Sequence, residues 1–82
     1  MENYYIVKEE IIKDNTFNEG IILRTTEKDK AQRVANKTFL AMSKTTTFIG
    51  ATKEETANRK VLYNILTGDS YIVEIEEYEI IE

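Results

Sequence analysis

The side chains with chemistry to offer crowd into one end of the chain. Residues 69–82, "DSYIVEIEEYEIIE", hold six carboxylates and no base. Carboxylates alone can divide acid and base roles when their surroundings split their pKa values, but nothing in this spacing singles out a pair. The usual helpers are missing too. The chain has no histidine and no cysteine, so it offers no imidazole base and no thiolate nucleophile. It has no His-Glu-x-x-His, no cysteine pair and no EF-hand loop. Its glycines in "NEG" and "TGDS" stand singly, without a phosphate-cradling or dinucleotide pattern. "NKT" at 36–38 matches a glycosylation acceptor, but it falls in a predicted helix of a chain without a secretion signal. These observations predict a protein that is not an enzyme and needs neither metal nor cofactor.

Charge is the stronger signal. The net charge of −4 is the sum of three unlike segments. Residues 1–23 carry −3, residues 24–60 carry +5, and residues 61–82 carry −6. Within the basic segment, Lys30, Arg33, Lys37 and Lys44 recur at helical spacing and form one stripe with Leu40 beside it. Such a stripe is ordinarily a solvated helix face; the alternative is a ridge that meets phosphates, with Arg59 and Lys60 adding cations. Four cations without interleaved aromatics, on a chain of pI about 4.9, argue against general nucleic-acid binding.

The elements that hold these charges follow from local pattern. "NYYIVKEEIIK" (3–13) has the aromatic and β-branched density of a strand. "DNTFNEG" reads as a turn and "IILRTT" as a second, antiparallel strand. From Thr26 to Lys44 the period becomes helical. Ala31, Val34, Ala35, Thr38, Phe39, Ala41 and Met42 share one face, Thr26 stands as N-cap, and Glu27 and Asp29 lie where the helix dipole favours anions. "TTTFIGA" is a connector or a brief strand. Thr52 and Glu55 have capping-box spacing and Gly68 stands at a C′ position, which predicts a second helix over 53–67; the competing assignment is a strand, "KVLYNIL", that turns through "TGDS".

In the last strand Tyr71, Val73 and Ile75 alternate, and Tyr78 and Ile80 follow one residue out of phase. A bulge at Glu76 or Glu77 would restore alternation and turn all five inward, leaving Ile72 and Ile81 outside. The echo between "YIVKEEII" (5–12) and "YIVEIEEYEII" (71–81) fits two strands drawn from a narrow alphabet, not a repeat.

The expected architecture is a single α+β domain over 1–82. A small antiparallel sheet of the N- and C-terminal strands and "IILRTT" packs one face on one or two helices. With no signal-peptide pattern and no apolar run near the 18 or so residues that span a bilayer, the expected location is the cytoplasm. Rich in Lys, Glu, Ile, Asn and Thr, the composition has the bias of AT-rich coding, common in bacteria and mobile elements. Two readings of the acidic strand stand side by side. Charge on an edge strand discourages aggregation. Alternatively Glu74, Glu76, Glu77 and Glu79, with Tyr78, bind a larger basic or nucleic-acid-binding protein in place of phosphates, as a phage-type counter-defence inhibitor would. A small ligand-binding role, sequestering a nucleotide or another phosphorylated molecule through the Lys30, Arg33, Lys37 and Lys44 stripe, is the alternative. A homo-oligomer formed through the five tyrosines and Leu40 is a third expectation.

Overall fold

The computed structural model describes residues 2–81; Glu82, the last of the six acids, lies outside them. In chain order the elements are β1 (Asn3–Lys13), β2 (Thr16–Thr25), α1 (Lys28–Ser43), β3 (Thr52–Glu55), β4 (Arg59–Tyr63) and β5 (Ser70–Glu79). All strand pairs are antiparallel, and the spatial order is β2-β1-β5-β4-β3. The α+β class and the pairing of the terminal strands are as the sequence predicts, with one helix on one face. The acidic strand is third of five, paired with β1 as far as Glu79 and with β4 as far as Glu74.

The first hairpin is tighter than the seven-residue turn expected. Lys13 pairs with Thr16, which leaves Asp14 and Asn15 as the whole loop, at φ 52° and 63°. Positive φ at both positions is the mark of a type I′ turn, whose twist matches that of the flanking strands. Asp and Asn tolerate this region and β-branched residues do not. Asn15→Val is therefore expected to destabilise the domain by about 1–2 kcal/mol in urea unfolding, whereas Asn15→Gly should cost nothing. Because the loop is short, "TFNEG" belongs to β2. A bulge lies in this pair, with Val7 opposite Leu23 but Lys8 opposite Ile21.

β5 has no bulge. It runs in register along β1 from Ile12↔Ser70 to Asn3↔Glu79. Continuous alternation puts Tyr71, Val73 and Ile75 toward the helix but sends Tyr78 to the opposite face, correcting the expectation that Tyr78 turns inward. Ile75 is followed toward the helix side by Glu77 and Glu79, which leave the core at the strand's exposed end.

The helix buries Ala31, Ala35, Phe39 and Ser43, one row at i, i+4 spacing. The small residues let the backbone approach the sheet, and Phe39 fills the space between. Ala41, expected inside, is exposed, and Leu40 is exposed as expected. Glu27, not Thr26, occupies the N-cap; its amide donates to Thr25 Oγ1 at 3.1 Å. Sixteen residues of helix span about 24 Å, less than the roughly 36 Å of eleven-residue β1. Past the helix, Phe48 of "TTTFIG" completes the core, its ring 6.4 Å from that of Tyr71.

The second helix does not form. Thr52–Glu55 and Arg59–Tyr63 are strands of a hairpin, and Leu62 is fully buried between Lys53 and Tyr71 in the register. Ile65 and Leu66, which a helix would have buried, are 72% and 91% exposed. Gly68 does take positive φ, at 79°, but in the β4–β5 loop, where its amide donates to the Asn64 carbonyl at 2.8 Å. Capping signals are local and weak; pairing Val61–Tyr63 with β5 satisfies more backbone and buries Leu62, and that non-local gain prevails.

Candidate functional site

With α1 on one side, the other face of the sheet is open. The register builds it row by row. Nearest the β1–β2 turn runs Phe17, Ile12, Ser70, Tyr63, Thr52, a row without charge across all five strands. Next come Glu19, Glu10, Ile72, Val61 and Glu54, then Ile21, Lys8, Glu74 and Arg59. Arg24, Ile6 and Glu76 follow, and Tyr4 with Tyr78 ends the series. Phe17 is 53% exposed and Ile21 69%. Ile12, Tyr63 and Tyr78 are exposed on the same face. The face thus carries exposed apolar side chains interspersed with charge.

The charges on this face fall into two kinds. Glu76 pairs with Lys8 at 3.3 Å, and Glu74 with Arg59 at 3.3 Å. The Glu76 carboxylate, by hydrogen bond and then by charge, holds the Lys8 ammonium above its usual range. These two glutamates are answered within the sheet. Glu10 and Glu19 form no such pair: they stand directly opposite one another across β1 and β2, Glu10 adds only a weaker charge effect to Lys8, and among the described residues neither, nor Glu54, enters an ion pair. Like charges directly opposite are unfavourable. At the far end Arg24 lies 4.4 Å above the Tyr4 ring, which stacks on Tyr78 at 5.2 Å.

The five predicted partner-binding residues do not form one surface. Glu74, Glu76 and Tyr78 lie on the open face, whereas Glu77 and Glu79 project to the helix side, because without a bulge alternation runs through them. Glu77 accepts a 3.3 Å hydrogen bond from Asn3 Nδ2. Asp69 is structural: nearly buried, it accepts the Asp14 amide at 3.2 Å and ties the first turn to the β4–β5 loop. No family model matches the chain, and no curated protein or solved structure matches it.

Lys30, Arg33 and Lys37 on α1 and Lys44 at its C-cap are all exposed, as the helical spacing predicts, and Lys60 reaches Glu55 at 3.3 Å and the Phe39 ring at 6.0 Å. Sequence reasoning missed Glu10 and Glu19. Its only available signal was the hairpin, since a two-residue turn at Asp14–Asn15 sets Glu10 against Glu19.

A buried phenol lies behind the site. Tyr71 is fully buried and donates to Glu9 Oε2 at 2.6 Å. Burial first, then the hydrogen bond and charge of Glu9, push its phenol well above its ordinary value of 10.0. The fold thus favours the neutral phenol, while the unfolded chain ionises near pH 10. This contribution to stability is full below that pH and is lost progressively as pH rises from there toward the higher value in the fold. Urea unfolding at pH 8 and pH 11 should show a smaller alkaline loss in Tyr71→Phe than in the parent chain; an equal loss would place the phenol in water.

Proposed function

We propose that this chain is a non-catalytic protein-binding module whose open sheet face occludes a basic, nucleic-acid-handling surface of a larger protein, as a phage or mobile-element inhibitor of a host or defence protein would. The observation that supports it is the pairing on one face of exposed apolar side chains with carboxylates that the sheet leaves unanswered. Ile12, Phe17, Ile21 and Tyr63 supply area to bury. Glu10 and Glu19 lie between them, where a partner's Lys or Arg relieves their mutual repulsion. Opposite charge speeds encounter and selects the partner.

Phosphates are repelled by the same carboxylates, so direct binding of nucleic acid here is disfavoured. A second copy of the chain would set one face with five glutamates and three bases against another.

The immobilised protein, incubated with nuclease-treated bacterial lysate at moderate salt, is expected to retain one nucleic-acid-binding protein. DNA or RNA should compete it off, and Glu10→Lys with Glu19→Lys should abolish retention. Alanine at Lys30, Arg33, Lys37 and Lys44 should leave it unchanged. Retention that survives the Glu10/Glu19 reversal, or loss caused by the alanines, would overturn the reading.

A further inference from the structure

The sheet has a notch. β5 pairs with β1 as far as Glu79, but with β4 only as far as Glu74, because the β3–β4 hairpin is short. The last bond across that side runs from the Ile75 amide to the Asn58 carbonyl, at 2.8 Å. Peptide groups alternate direction along a strand. The amides of Glu77 and Glu79 therefore point the same way as that of Ile75, into the space beyond Asn58, and neither has a partner among the described residues. The Ile80 amide, on the other parity, donates to Glu2 at 2.9 Å, which fixes the assignment. Glu77, Tyr78 and Glu79 are exposed.

We propose that this uncovered edge of β5, from Ile75 to Glu79, takes up an extended segment of a partner protein as an added strand in line with β4. The side chains beside the gap define what fits. Glu77 and Glu79 face the helix side, and Tyr78 between them faces the open side and stacks on Tyr4. A strand laid against them presents residues opposite Glu77 and Glu79 to one side and the residue between to the other. The complementary sequence is Lys or Arg, an apolar residue, then Lys or Arg.

Backbone hydrogen bonds supply affinity in this mode and alternate side chains supply specificity. The carboxylates also exclude a second copy, since pairing two β5 edges would set Glu77 and Glu79 against their own kind. The long edge of β2 is a poorer acceptor, as its bulge disturbs the regular spacing of amides. This inference rests on the reading of the chain as a binder of basic proteins, but it concerns a different surface from Glu10 and Glu19.

The test uses the full chain and the synthetic peptide acetyl-Thr-Arg-Val-Arg-Thr-amide, with amide hydrogen exchange followed by NMR. At about ten times its dissociation constant the peptide is expected to slow exchange at Glu77 and Glu79 about tenfold. The effect should vanish when both arginines are glutamates or when both arginine amides are N-methylated, since the residues opposite Glu77 and Glu79 are the ones whose N–H groups face β5. Glu77→Pro should also remove it; the lost N–H lies outside the β1 ladder, so the fold tolerates the change. Glu77→Lys with Glu79→Lys, which leaves the backbone intact, is the second variant. No slowing at these amides, or slowing that persists in both variants, overturns strand addition. Glu10→Lys with Glu19→Lys should leave peptide uptake intact, so the two surfaces succeed or fail separately.

Discussion

Phe39→Ala should destabilise the domain by about 3–5 kcal/mol, the range for truncating a buried phenylalanine. The ring is 2% exposed and lies on the one helix row that faces the sheet. Its neighbours in that row, Ala31 and Ala35, have nothing to extend into the space. Phe48, Leu62 and Tyr71 line the core around it but are held by their own backbone, so the cavity stays open. A chain of 82 residues has a total stability on the order of 4–12 kcal/mol, and the change removes a large share of it. Thermal unfolding should fall by about 15 °C or more. Leu40→Ala, one residue away on the exposed side, should change stability by less than about 0.5 kcal/mol. Equal effects at the two positions would mean that the helix presents another face to the sheet.

Reversing Glu10 and Glu19 separates binding from stability. Glu19→Lys alone turns a like-charge cross-strand pair into an opposite-charge one, which should stabilise the free protein by about 0.2–1 kcal/mol. The double reversal restores a like-charge pair of the other sign, so its stability should match the parent. Each is expected to weaken partner retention, and the double variant to abolish it. A residue pair that costs stability in the free chain yet is needed for binding has the signature of a docking site. If Glu19→Lys is less stable than the parent, the two carboxylates are engaged in the free fold and the open face loses its main functional argument. Retention measured at 0.1 M and 0.5 M salt gives a second readout, because screening weakens an exposed electrostatic interface.

The acidic end of the chain divides its charges by their place in the sheet. Of its acids, Asp69 locks two turns together, while Glu74 and Glu76 answer Arg59 and Lys8. Glu77 and Glu79 flank the notch. A segment that looks uniform in sequence thus falls into three settings, divided by where the strand's neighbours begin and end.

Local pattern by itself determined the two terminal strands, the helix over Lys28–Ser43 with its buried Ala31, Ala35 and Phe39, the exposed cation stripe and the α+β class. Those features repeat every two residues or every three to four, and a neighbour a few positions away is enough to express them. Tertiary structure decided the rest. Whether Arg59–Tyr63 is strand or helix depends on β5, from which it draws its hydrogen bonds, and the capping signals at Thr52, Glu55 and Gly68 could not weigh that gain. Whether Glu77 faces the helix or the open side depends on the unbroken register with β1, since one inserted residue would have exchanged every side chain beyond it. The pairing of Glu10 with Glu19 and the notch beside Glu77 have the same origin. Both arise where one strand stops relative to another, a distance set by turn geometry and pairing across the sheet and not by any pattern within a single segment.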